Sequence, residues 1–255
     1  MDLERLNTLT KYPSIPTYHV MGERGRLTEN RAYPTMGDSV LATEKVDGTN
    51  ARIVLLDEEE LSVDIGADWL IGSREEWLHA RGDLIWRNDN GIVDALQDTA
   101  ERLWNSEFSN VVIYGEVYGG KINAAKQYTV SGEFGFRIFD VVWLRDLIHA
   151  TRDMTIPQIS AWRESGGIVF EGWDGVERYA SAAKLQMVPM VRMPWAELDV
   201  ADAEDWLGLN SGATQVGLDA HGHSEGVVIR NASNKWRTKL RHEDYARTMR
   251  ARGGK

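Results

Sequence analysis

The sequence predicts an α+β fold of antiparallel β-sheets with flanking helices. Strand-like segments dominate both ends of the chain, helical spacing dominates the middle, and no internal repeat or obvious linker separates them. "VLATEKV" (40–46) and "ARIVLL" (51–56) read as two short strands joined through Asp47-Gly48-Thr49-Asn50, a segment with hairpin-type turn chemistry. "WLIGSR" (69–74) is a third strand, reached through an acidic connection that holds Asp57 to Glu60. In 92–104, Ile92, Leu96 and Leu103 keep helical spacing. Two strongly apolar strands follow, "VVIYGEVYGG" (111–120) and "FGFRIFDVVWL" (134–144). In the second, Phe134, Phe136, Ile138 and Asp140 alternate with Gly135, Arg137, Phe139 and Val141, which predicts two faces of different character. Helices are expected at 156–165, 176–186 and 199–209. Strands return at 225–230 and 235–241, and a short basic helix closes the chain.

Composition narrows the chemistry. The chain has 255 residues and no cysteine, which excludes disulfides, thiolate-bound metals and thiol nucleophiles together. The N-terminus lacks the apolar core of a signal peptide, and no stretch approaches the ~18 apolar residues of a membrane span. A cytoplasmic location and no membrane partner are expected. The formal charge of -10 is unevenly spread: residues 235–255 carry eight Lys and Arg against Glu243 and Asp244, a local +6. That end is where a polyanion would be met.

Lys45 stands at the end of a predicted strand, directly before Val46-Asp47-Gly48. A lysine acts as a nucleophile only when its amine is neutral, which needs desolvation or a neighbouring cation. Further segments follow in fixed order on or beside predicted strands: "GSR" (72–74), "YGEVYG" (114–119), "FRIFDVV" (136–142), "EGVVIR" (225–230) and "KWRTKLR" (235–241). "HGH" at 221–223 is read as a loop leading into the Glu225 strand, since a third ligand at helpful spacing is lacking.

This succession over about 40–241 resembles the covalent nucleotidyltransferase superfamily of polynucleotide ligases and RNA capping enzymes: Lys-x-Asp-Gly, a Glu-bearing strand, an aromatic strand ending Phe-Asp, Glu-Gly-hydrophobic, and a final basic strand. Asn50 after Lys-x-Asp-Gly-x is similar to the RNA ligases; DNA ligases usually have Arg there. The resemblance implies a single ATP-grasp-like nucleotidyltransferase domain over 1–255, with 1–39 as a lead-in and 242–255 as a basic C-terminal helix or tail. Capping enzymes and DNA ligases continue into an OB-fold after the last motif, whereas 14 residues follow Arg241 here, so the expected domain has no C-terminal OB-fold.

The implied activity is that of an ATP-dependent RNA ligase of the nick-sealing, RNA-repair type. ATP is the AMP donor, Mg²⁺ (or Mn²⁺) the metal, and RNA with 5'-phosphate and 3'-OH ends the substrate, expected as a nicked duplex, with a homodimer or accessory protein as a further partner. Attack on an α-phosphorus needs a neutral amine, cations to absorb charge on the phosphate oxygens, and an in-line leaving group. By resemblance Lys45 forms lysyl-AMP and Glu116 contacts the ribose. Phe139 stacks on adenine, Glu225 serves the metal with Glu116, and Glu44 and Asn50 flank the nucleophile. Arg74, Arg237 and Lys239 face the phosphates; Arg237-Thr238-Lys239 is aligned with the last motif, and Lys239-Leu240-Arg241 is the competing register. The alternatives are a minimal ATP-dependent DNA ligase, or a non-catalytic nucleotide- or RNA-binding relative. Taken singly, Glu116 reads as a strand-edge carboxylate, Phe139 as a core aromatic and Arg74 as a salt-bridge partner; their joint order overturns those readings.

Overall fold

The computed structural model describes residues 1–33, 39–61, 63–80, 91–106, 108–210 and 212–253, and the backbone of 85–86. The chain divides into two compact units, one built from Met1–Ser14, Gly48–Asn123 and Gly132–Met187, the other from Ile15–Asp47, Ala124–Ser131 and Val188–Lys255. Among the described residues no helix is long and apolar enough to cross a membrane.

The first unit contains helices α1 (Leu3–Thr10), α2 (Glu58–Leu61), α3 (Ile92–Trp104), α4 (Leu144–Ala150), α5 (Ile156–Glu164) and α6 (Trp173–Ala183). Its strands are β4 (Thr49–Leu55), β5 (Trp69–Ser73), β6 (Trp77–Ala80), β7 (Ile85–Trp86), β8 (Val111–Gly119) and β9 (Phe134–Trp143). They form an antiparallel sheet in the order β7-β6-β5-β4-β8-β9. Ala51, Ile53 and Leu55 alternate onto one face with Ile71, Ile113 and Val117, where α3 lays down Ile92, Leu96, Ala100 and Leu103. Each of the larger buried side chains on this face contributes roughly 1.5–3 kcal/mol.

The opposite face is closed by the first 14 residues. Arg52 is fully buried there, its Nη1 donating to the Ser73 and Arg74 carbonyls at 2.6 and 3.1 Å, with the guanidinium 4.3 Å over the Trp77 ring. It also donates to Asn7, and burial lowers its pKa to about 10. The Tyr114 hydroxyl donates to the Thr10 carbonyl at 3.0 Å, and the Tyr12 hydroxyl donates to buried Asp140.

Strand β9 departs from simple alternation. Ile138 pairs with Gly115 but Asp140 pairs with Tyr114, leaving Phe139 in a bulge. Asp140 is thereby moved off the face that Phe136 and Ile138 share, and Ile138 and Val141 both enter the core.

The second unit contains β1 (His19–Met21), β2 (Leu27–Arg31), β3 (Ser39–Lys45), β10 (Met190–Pro194), β11 (Gly226–Arg230) and β12 (Arg237–Arg241), with helices α7 (Val200–Asn210) and α8 (His242–Gly253). Its main sheet is antiparallel in the order β10-β3-β11-β12, and β1 and β2 form a separate ribbon. Val40, Val227, Ile229 and Leu240 pack with Val200 and Leu207 of α7 and Tyr245 of α8. Residues 16–18 run beside β12, with Lys239 N–H donating to the Pro16 carbonyl and Tyr18 N–H to the Lys239 carbonyl, both at 3.0 Å.

The expected hairpin between 40–46 and 51–56 is not formed. β3 pairs with β10 and β11, whereas β4 pairs with β5 and β8. Asp47-Gly48 instead carries the chain from one sheet to the other, and Gly48 is not among the glycines with the positive φ that a two-residue hairpin turn uses. Of the basic segment, Gly254 and Lys255 lie outside the described residues, as do 34–38 of the lead-in.

His19 is buried in the second unit, its Nδ1 3.0 Å from the Tyr245 hydroxyl and its Nε2 3.2 Å from the Leu198 carbonyl. Donation from Nε2 to the carbonyl leaves Nδ1 as acceptor, which is the neutral ring. Burial pushes its pKa below the ordinary 6.5, against the pull of the Leu198 carbonyl. The unfolded chain therefore binds the proton more readily, so stability is full above about pH 6.5 and falls as pH drops below it. Urea unfolding of the wild type and His19→Gln at pH 7.5 and 5.5 should show the larger acid loss in the wild type; equal losses would remove His19 as the cause.

Candidate active site

Antiparallel partners share a sheet face, so register alone assembles the charged side chains of the second unit. Lys45 lies opposite Gly226, and Gly226 opposite Arg241; one row along lie Thr43, Val228 and Lys239. Adjacent strands about 4.8 Å apart place the Lys45 and Arg241 backbones roughly 10 Å from each other, with no side chain between them at Gly226. Gly226 has φ 153°, and a Cβ there would run into the Leu240 carbonyl and approach Arg241 Cα to 2.9 Å. Only glycine serves at that point.

Glu225 enters this gap. Its N–H donates to the Lys45 carbonyl at 3.0 Å and its carbonyl accepts from His242 N–H at 3.1 Å. Its carboxylate accepts from the Lys45 amine through Oε2 and lies 3.6 Å from Arg241 Nη1 through Oε1. Lys239 is half-buried on the same face, and burial, with Arg241 and Lys45 nearby, lowers the pKa of its amine. Burial and the Glu225 charge raise the Asp47 carboxyl. Arg237 is two rows from Lys45, about 13 Å along the strand, where it is buried and donates to the Asn234 carbonyl at 3.2 Å.

The backbone around Lys45 is held by a loop that sequence reading did not single out. The Asp47 N–H donates to the buried Tyr128 hydroxyl at 2.6 Å. The Glu44 carboxylate points to the other sheet face, where it accepts from the Thr214 hydroxyl and from Gln215 N–H at 2.9 Å. A cavity of about 130 Å³ opens on that side, lined in part by Ala42, Glu44, Met190, Gln215 and Ser224. Thr214 and Tyr128 belong to segments strapped together. Gly222 N–H and His223 N–H donate to the Gln127 carbonyl and side-chain oxygen at 2.8 and 2.9 Å, and Asp219 accepts from Val130 and Ser131 N–H at 2.6 and 2.8 Å. The Val130 and Ser131 hydrogen bonds hold the Asp219 carboxyl down at about 2. The 221–223 loop thus leads into β11 while tied to Gln127. Tyr128→Phe removes the acceptor of Asp47 N–H and should cost about 1 kcal/mol of stability, measured by urea unfolding; an unchanged midpoint would show the bond contributes nothing.

In the first unit, Asn50 on β4 lies opposite Glu116 on β8, and Glu116 opposite Arg137 on β9. Gly48 is crowded by the Val117 carbonyl, and a Cβ there would come within 2.9 Å of Glu116 Cγ. This is why Lys-x-Asp-Gly ends in glycine. Phe139 is half-buried, edge-on to Tyr12 with ring centroids 5.1 Å apart. Arg74 is exposed in the turn after β5, its Nη2 2.8 Å from the Ser14 hydroxyl and its Nε 3.8 Å from Glu75.

Several cations of the C-terminal segment meet acids within their own unit: Arg241 with Asp244, Arg247 with Glu243, and Arg252 with Glu29. Among the described residues no three His, Asp or Glu side chains group as a ready metal cage. A hard divalent cation takes one or two carboxylates and completes its shell with phosphate and water, and Glu225, half-buried between Lys45 and Arg241, is a carboxylate of that kind.

A sequence profile of the RNA ligase family matches residues 38–245. The chain belongs to the RNA ligase family. A comparison with curated proteins returns no match. Solved structures that share the fold include Naegleria gruberi RNA ligase in a variant without ligand, at 13% identity and TM-score 0.57 over 96% of this chain and 62% of that one. Another variant of the same ligase, with ATP and Mn, matches at 14% identity and TM-score 0.56 over 94% and 62%. A third, also with ATP and Mn, matches at 14% and 0.54 over 84% and 52%. This RNA ligase family member therefore spans little more than half to three fifths of the length of the ligases it matches.

Proposed function

We propose that the protein is an ATP-dependent RNA ligase that seals 5'-phosphate and 3'-OH ends through a lysyl-AMP intermediate, with residues 1–255 acting as one nucleotidyltransferase domain. The observation that carries this reading is the cluster in which Glu225 meets Lys45 and Arg241 at the end of β3. Family membership and the ATP and Mn of the Naegleria complexes support it.

In the first step the Lys45 amine, having released a proton to solvent, attacks the α-phosphorus of ATP. A nitrogen–phosphorus bond forms, the bond to the bridging oxygen breaks, and pyrophosphate leaves. A 5'-phosphate oxygen of the RNA then displaces Lys45 from phosphorus, giving an adenylylated 5' end and returning the amine. Finally the 3'-OH attacks the 5'-phosphorus and AMP departs. Lys239 and Arg241 offer charge to the α-phosphate oxygens, the kind of fixed electrostatic stabilisation that dominates phosphoryl transfer. Arg237 and Arg74 are assigned to phosphates, Glu116 to the ribose, Phe139 to the adenine, and Glu44 and Asn50 to the flanks of the nucleophile. Glu225, with Glu116, would hold Mg²⁺ or Mn²⁺, which supplies charge neutralisation and favours the uncharged amine.

A nicked duplex is the proposed substrate, engaged by the chain alone, as a homodimer or with an accessory protein. The test is sealing of a panel of nicks by the purified chain with ATP and Mg²⁺. Product from nicks carrying ribonucleotides at the 3'-OH side is expected. Faster sealing of an all-DNA nick would make it a DNA ligase, and no product on any nick would contradict the reading.

A further inference from the structure

Asp244 is the innermost group of the ion network around Lys45. Its side chain is fully buried at the start of α8 and takes Arg241 as a fork, Nε at 2.7 Å on Oδ2 and Nη2 at 2.8 Å on Oδ1. That grip uses one edge of the guanidinium and turns the remaining nitrogen, Nη1, toward Glu225 at 3.6 Å. Glu225 meets the Lys45 amine through its other oxygen. Charges alternate along the series Asp244, Arg241, Glu225, Lys45, and each member meets the next. A bidentate carboxylate fixes the plane of an arginine in a way that a single contact does not. The fork also sits within the first turn of α8, where the helix end favours an anion. Arg247 Nη1, 3.6 Å from Oδ1, adds a second cation to it.

We infer that Asp244 is a positioning residue for adenylyl transfer: it locks Arg241 in the orientation that fixes the Glu225 carboxylate against Lys45. This inference rests on the lysyl-AMP reading for its kinetic readout. Outer partners of this kind typically change rate by about 10–100-fold when removed. Asp244→Asn keeps the shape and loses the charge; Arg241→Lys keeps the charge and loses the fork.

The experiment compares the wild type, D244N, R241K and the double variant, by single-turnover transfer of labelled AMP from ATP and by thermal unfolding. Each single substitution is expected to lower the maximal rate about 10–100-fold, with a much smaller change in the ATP concentration for half-maximal rate. The double variant should be no slower than the slower single, because both break the same link. A wild-type rate in D244N, or losses that multiply in the double variant, would overturn the inference. If D244N does not fold, R241K decides, since it too must be slow. A crystal structure of D244N or R241K reads the relay without chemistry: the Glu225 carboxylate turned away from Lys45 supports it, and an unchanged Glu225 contradicts it. A wild-type chain that takes no label counts against adenylylation, while this structural readout still judges Asp244.

Discussion

Lys45→Arg removes covalent nucleotide labelling, by a factor on the order of 10³ or more, while the protein stays folded. Arginine keeps the positive charge that Glu225 needs at the end of β3. It is never neutral at working pH, so it cannot attack phosphorus. Removing a nucleophile outright is among the largest single losses an enzyme shows. Thermal unfolding should change little, because the side chain is part-exposed at 22% and its ion pair is screened. Labelling of the arginine variant at the wild-type rate would place the nucleophile elsewhere.

Glu225→Gln carries the second-largest expected effect, on the order of 10²-fold in AMP transfer, the scale of losing one preorganised electrostatic group. The amide keeps the backbone bonds to Lys45 and His242 and nearly the same volume. It leaves the Lys45 and Arg241 cations without the carboxylate that lies between them and withdraws a hard oxygen from the metal. Raising Mn²⁺ concentration should restore part of the rate in Glu225→Gln and none in Lys45→Arg. Full activity of Glu225→Gln at ordinary metal concentration would refute its assigned role.

Much of the local structure was legible because local pattern dictates it. The helix at 92–104 carries its apolar residues at helical spacing, and the strands at 111–119 and 226–230 carry little that is polar. What pattern could not supply was pairing. Lys45 at a strand end before Asp-Gly reads as a hairpin, yet β3 takes its partners from 190–194 and 226–230, far along the chain. Residues 190–194 themselves escaped notice, since a short strand with mostly partly exposed or exposed side chains, MVRMP, has no clean alternation. The bulge at Phe139 was hidden for a related reason: a bulge adds a residue without changing composition.

At the candidate site, the residues proposed for chemistry are legible in the sequence, and the residues that contact them are not. Lys45 and Glu225 stand out because a lysine before Asp-Gly and a glutamate before Gly-Val-Val-Ile are conspicuous. Tyr128, Thr214, Gln215 and Asp244 make their contacts with the Asp47 backbone, Glu44 or Arg241, and nothing in their own sequence neighbourhood points to Lys45. Register also ranks the last basic segment. Arg241 shares the row of Lys45 and Lys239 the next, whereas Arg237 is two rows off. Residues 1–14 had no assigned task in the sequence; they close the Arg52 and Asp140 face of the first unit's sheet.

The most direct measurement is incubation of the purified chain with α-labelled ATP and Mg²⁺, followed by a denaturing gel and mass mapping of the labelled peptide. The account predicts one AMP bound through an acid-labile bond on the peptide holding Lys45, discharged by added pyrophosphate. No covalent label, or a label on a peptide lacking Lys45, would contradict it.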